Sequence, residues 1–188
     1  MCKNLCGLDY KIIGAEKIPK KKGIVFIKHS SVYELFVGLV LFSPSSWVAK
    51  YELMYLPLFR KAIKVFGFIP VKRGFGKSEV SRVIRDGTAR LGQGNWIVIF
   101  PEGTRVPHGE TKRYGLSGAL LAVGTGSNIT PIAHNAGRYW GRRSLIKKRG
   151  SIVFSIGSQI STFGKSYDEI NEEAKTWIDA ETKRIDSL

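Results

Sequence analysis

The sequence predicts a three-layer α/β domain, with helices on both faces of a mostly parallel sheet. Three observations carry that expectation. Short runs rich in Val, Ile and Phe, bounded by Gly, Pro, Asn or Ser, recur along the chain. Between several of them lie stretches with apolar residues three and four apart. A length of 188 residues suits one such domain and is short for two. Alternation of this kind builds parallel sheets whose active groups collect at the carboxyl ends of the strands. No repeat, low-complexity segment or linker interrupts it, so residues 1–188 read as a single domain, with 1–22 a charged lead-in.

In order, strands are expected over 10–13, 24–27, 47–49, 68–71, 96–100, 129–133 and 152–156. A helix over 34–42 follows the second of these. Over 55–66, Leu58, Phe59, Ala62, Ile63 and Phe66 mark an amphipathic helix, and Arg60, Lys61 and Lys64 would let it lie in a membrane interface as well as on the core. Ser78 is the expected N-cap of the next helix, whose stripe Val80, Val83, Ile84 and Leu91 ends at Gly92 and Gly94. A small-residue helix over 115–123 and an amphipathic helix over 167–185, capped by Asp168, complete the pattern.

Composition narrows the partners. Thirty Lys and Arg against fifteen Asp and Glu leave +15, with a pI near 10.0. Such a surface suits a polyanion: nucleic acid, an anionic membrane or an acidic carrier protein. No recognised nucleic-acid motif appears, which argues against the first. The two cysteines, Cys2 and Cys6, have nothing downstream to pair with or to complete a metal site, so neither a disulfide framework nor a metal is expected. No signal peptide opens the chain, and the longest apolar run, residues 35–42, is far short of the ~20 residues that span a bilayer.

Four short blocks can carry chemistry. In GIVFIKHSSVYELF (23–36) an apolar strand delivers His29, and Glu34 follows five residues later. Five residues turn an ideal helix by about 140°, so the pair can meet only if His29 precedes the helix and Glu34 lies in its first turns. A carboxylate on one imidazole nitrogen would fix the tautomer and make the other a better base. The alternative is a surface histidine beside an unrelated helical glutamate. In FIPVKRG (68–74) a strand exits into Lys72 and Arg73, suited to a phosphate or simply solvated. In IVIFPEGTR (97–105) Gly103 permits a tight turn, Arg105 adds a positive charge, and Glu102 is an acceptor or brace, or one half of a plain salt bridge. In NITPIAHNAG (128–137) Pro131 interrupts an apolar run, which fits an edge or bulge.

In order and spacing, these four blocks resemble the glycerolipid acyltransferase family from about residue 8 to 160, and VAKYEL (48–53) resembles the segment between its first two blocks. The usual acid of the first block is Asp, whereas this chain has Glu34; lipid A acyltransferases share that H-x4-E variant but lack FPEGTR. The resemblance implies the glycerol-3-phosphate acyltransferase-like fold and transfer of a fatty acyl group to the 2-hydroxyl of an acylglycerol phosphate. The donor would be acyl-CoA or acyl-acyl carrier protein, with no other cofactor and no metal. His29 would be the general base and Glu34 its partner. Lys72, Arg73 and Arg105 would hold the acceptor phosphate, Gly103 and Thr104 would shape the loop around it, and Glu102 would assist binding. The absence of a nucleophile motif agrees with direct attack by the acceptor. Another lysolipid or a lipid A precursor remains open as acceptor, as does, from a different class, a basic nucleic-acid-binding protein. Members of that family usually begin with an N-terminal membrane helix or helix pair, and this chain begins almost at the first strand of the resemblance. The expected location is the cytoplasmic face of the cell membrane, peripheral on anionic lipid or held by a segment absent from this chain.

Overall fold

A computed structural model describes residues 6–55, 67–72 and 76–188. Seven strands form one sheet: β1 (Leu8–Ile13), β2 (Ile24–Ile27), β3 (Ser45–Lys50), β4 (Ile69–Val71), β5 (Trp96–Ile99), β6 (Ile129–His134) and β7 (Gly150–Ile156). Their order is β1-β7-β6-β2-β5-β3-β4, and every neighbouring pair is parallel except β6 with β7. Five helices are described: α1 (Tyr33–Leu41), α2 (Gly76–Gly92), α3 (Leu116–Thr125), α4 (Ala136–Tyr139) and α5 (Tyr167–Asp186).

The two faces of the sheet follow from side-chain alternation. Ile24 and Phe26 of β2 and Ile97 and Ile99 of β5 turn one way, onto α2, α3 and α5 through Val83, Ala119, Leu121, Ile170 and Ile178. Val25, Ile27 and Val98 turn the other way, where Tyr33 and Val37 of α1, Trp47 and Phe154 cover them. Because β2 and β5 are wholly buried, they read as continuous apolar runs rather than alternating ones. The three layers expected from sequence are therefore present. One close approach sets the position of α1: a Cβ on Gly38 would lie 2.5 Å from Trp47 Cη2, so only glycine lets this helix settle on β3.

All seven expected strands form, and the differences lie at element ends. The helix expected from Ser78 starts at Gly76, so Ser78 falls inside its first turn. That turn is tied to the exit of β4 by Glu79, whose Oε2 accepts from Lys72 N and Arg82 Nη2, both at 2.8 Å. Asp168 does not cap α5. Ser166 does, its Oγ accepting from Glu169 N at 3.3 Å while Glu169 Oε2 accepts from Ser166 N at 2.8 Å. A serine hydroxyl reaches the N3 amide from the cap position, and the reciprocal glutamate satisfies a second orphan donor. The strand expected to include Phe100 ends at Ile99, and Phe68 lies just ahead of β4. The amphipathic helix expected over 55–66 lies outside the described residues beyond Tyr55, which ends a 3-10 turn, Tyr51–Tyr55. No helix among the described residues is long and apolar enough to cross a membrane.

Candidate active site

The site begins where β2 leaves the sheet. Lys28 N makes a last rung to Ile132 O at 3.1 Å, and His29 follows at the carboxyl edge. Three residues reverse the chain before α1 starts at Tyr33, which points Glu34 back toward the strand end. Its Oε1 accepts from His29 Nδ1 at 2.8 Å, from Ser31 N at 2.9 Å and from Ser30 N at 3.1 Å. Glu34 is 0 % exposed. Burial alone would raise its pKa, but His134, His29 and the Ser31 amide outweigh that and hold the carboxyl below its ordinary value. An ionised carboxylate on Nδ1 makes that nitrogen the proton carrier and leaves Nε2 as the base. Phe100 fixes the ring plane from one face, stacked at 3.8 Å and 15°. Among the described residues, no hydroxyl or thiol is hydrogen-bonded to the His29 ring, and Ser30 Oγ is buried without a partner.

The FPEGTR segment is fastened to this histidine at two points. Gly103 N closes a turn onto Phe100 O at 2.9 Å, with Gly103 at φ 66 in the left-handed region that glycine enters freely. Glu102 Oε2 accepts from His29 N at 3.3 Å, and Val106 N donates to His29 O at 2.7 Å. Two blocks 73 residues apart thus hold the backbone of one residue, at its N–H and at its carbonyl. Burial raises the Glu102 pKa to about 7, against the opposing pull of backbone amides and Lys28. Glu102 is turned to the His29 backbone, and no ion pair joins it to Arg105. Among the described residues, no carboxylate pairs with Arg105, which is half-buried beside half-buried Thr104.

Lys72 stands at the exit of edge strand β4, on the same carboxyl edge as His29 but with β3 and β5 between its strand and β2. Its Nζ lies 4.6 Å from the centre of the Tyr51 ring. Arg73 lies outside the described residues.

Sequence reasoning missed two buried groups next to the pair. His134 ends β6 and is 0 % exposed. Its Nδ1 accepts from Ala136 N at 3.2 Å, so Nε2 carries the proton and donates to Lys28 O at 2.6 Å. Burial, partly countered by Glu34, lowers its pKa. The same Nε2 lies 4.0 Å from Glu34 Oε2, an oxygen with no hydrogen-bond partner. The available signal was a histidine closing an apolar strand, as His29 does. Lys28 is 2 % exposed, its Nζ 3.7 Å from Asp179 Oδ1 of α5 and 3.4 Å from Glu110 O. Alternation after Ile24 and Phe26 aims it at the α5 face, but nothing local names Asp179 as its partner. Among the described residues, no three His, Cys, Asp or Glu side chains converge as a metal site.

With this geometry in view, residues 9–135 match the model of the Acyltransferase family. A 1-acyl-sn-glycerol-3-phosphate acyltransferase of Pseudomonas aeruginosa is 36 % identical over 177 residues, covering 93 % of this chain and 69 % of that protein. One from Borreliella burgdorferi is 24 % identical over 187 residues, covering 98 % and 74 %. Among solved structures, the 1-acyl-sn-glycerophosphate (LPA) acyltransferase PlsC from Thermotoga maritima superimposes with a TM-score of 0.81 at 21 % identity, covering 96 % of this chain and 73 % of that one. A match over most of the chain, together with a histidine–carboxylate pair at the carboxyl edge of the sheet, places this chain in the acyltransferase family.

Proposed function

We propose that the chain transfers a fatty acyl group from a thioester donor, acyl carrier protein or coenzyme A, to the 2-hydroxyl of 1-acylglycerol 3-phosphate, giving phosphatidic acid. The observation that carries this reading is His29, held at Nδ1 by buried Glu34, which leaves Nε2 as the basic nitrogen. The names of the relatives supply the acceptor class. The acceptor hydroxyl gives its proton to His29 Nε2 as its oxygen attacks the thioester carbonyl. The new C–O bond forms, the C–S bond breaks, and the imidazolium returns the proton to the departing thiolate. Glu34 stabilises the transient imidazolium, while Glu102 and Val106 hold the His29 backbone in place. Arg105, with no carboxylate partner among the described residues, joins Lys72 and Arg73 in binding the acceptor phosphate. Gly103 and Thr104 shape the loop beside it. No cofactor beyond the donor is invoked, and the chain works at the cytoplasmic surface of an anionic membrane.

A labelled acyl-transfer assay over a panel of lysolipids, run with both donors, tests the proposal. The expected product is labelled phosphatidic acid, and His29→Ala should lower its rate by about 10²–10⁴-fold without loss of fold. Near wild-type turnover by a folded His29→Ala protein would overturn the mechanism. Transfer to other lysolipids but not to 1-acylglycerol 3-phosphate would overturn the assigned substrate.

A further inference from the structure

The segment joining α4 to β7 is a built turn that keeps apolar side chains in water. Trp140 Nε1 donates to Ser144 O at 3.1 Å, and Lys148 N donates to Tyr139 O at 2.9 Å, closing the base. Ser144 Oγ donates to Ile146 O at 2.9 Å and accepts from Ile146 N at 3.2 Å, while Arg143 takes the left-handed conformation at φ 58. The tip these bonds define presents Leu145 at 90 % exposure and Ile146 at 76 %. Adjacent large aliphatic side chains on an ordered tip gain by entering an apolar medium and have no cover among the described residues.

Charge specifies the medium. Arg142, Arg143, Lys147, Lys148 and Arg149 flank the tip, and among the described residues none of them pairs with a carboxylate. The sequence contains no Asp or Glu between Glu110 and Asp168. The turn also abuts the catalytic edge: it follows β6 and α4, and Arg142 Nη1 lies 3.5 Å from Arg105 O.

We infer that residues 142–149 are the membrane-docking element. Leu145 and Ile146 enter the acyl region of an anionic bilayer, the five cations meet its headgroups, and the mouth beside Arg105 is held at the lipid surface. A second copy of the chain is a poor occupant, because it would bring five like charges against five. A nucleic acid offers nothing to an apolar tip. The inference rests on the acyltransferase reading only in giving the docked edge a lipid acceptor.

The test uses the full chain, a Leu145→Glu/Ile146→Glu variant, and vesicles of phosphatidylcholine with or without phosphatidylglycerol. The two positions are exposed, so the variant should unfold at the wild-type temperature. Wild type should bind the anionic vesicles and retain a salt-resistant fraction, because apolar insertion is not screened. The variant should bind about tenfold more weakly or worse and lose that fraction. Its transfer to an acceptor embedded in vesicles should fall with binding, while transfer to a short-chain, water-soluble acceptor stays within about twofold of wild type. Unchanged vesicle binding by the variant, or tighter binding of wild type to a DNA duplex than to anionic vesicles, would overturn the docking surface. Loop-dependent vesicle binding by a chain that transfers no acyl group would support the surface and overturn the acyltransferase reading instead.

Discussion

Replacing Glu34 by Gln removes one charge from the centre of the site while keeping almost every atom. Oε1 accepts three N–H groups at 2.8–3.1 Å, and an amide oxygen can accept the same three. The new NH2 must then take the place of Oε2, 4.0 Å from His134 Nε2, which is itself a donor. Two donors facing each other in a fully buried spot should lower stability by about 1–2 kcal/mol, leaving the protein folded. The larger loss falls on the transition state, where His29 carries a positive charge. Unit charges about 4 Å apart attract by about 4 kcal/mol at an effective dielectric near 20. At 1.36 kcal/mol per decade, kcat should fall by about 10²–10³-fold. Initial rates of labelled transfer at saturating acceptor, with urea unfolding in parallel, measure both quantities. Glu34→Asp, which keeps the charge, should retain activity. Equal rates for Glu and Gln would show that Glu34 only supports the turn, and the mechanism would fail.

Three further outcomes follow from the same geometry. Glu102 binds its proton more tightly folded than unfolded, with a pKa of about 7 against an ordinary 4.5, so it destabilises the fold increasingly as pH rises through that window. Glu102→Gln removes the titration, and its stability relative to wild type should rise by about 3 kcal/mol between pH 4 and pH 8; a pH-independent difference in urea unfolding would refute the assignment. Gly38→Ala forces a Cβ to within 2.5 Å of Trp47 and should cost about 1–3 kcal/mol, with lower kcat because α1 carries Glu34; a variant as stable and active as wild type would show that α1 shifts freely. Arg105→Ala should raise the acceptor KM more than the donor KM, and the reverse pattern would move the phosphate pocket elsewhere.

What the sequence determined alone was local. The central strands β2 and β5 are announced by the runs Ile24-Val25-Phe26-Ile27 and Trp96-Ile97-Val98-Ile99, because residues buried on both faces must all be apolar. His29 and Glu34 were legible as a pair because a turn followed by the first turn of a helix is the one arrangement that joins residues five apart. The capping box shows in the sequence as a serine three residues before a glutamate, Ser166 and Glu169, and it displaces Asp168 as the cap because it depends on two reciprocal reaches, not on the acid nearest the helix start. Tertiary structure decided which strand ends become neighbours. The side chain of Glu102 reaches the backbone of His29 only because β5 lies beside β2, and His134 stands behind Glu34 only because β6 lies on the other side of it. Lys28 meets Asp179 because α5 crosses that face of the sheet. Periodicity and residue type report which surface a segment buries. They do not report against what, since one apolar parallel strand can pair with another at similar energy until helices, loops and connections are packed together.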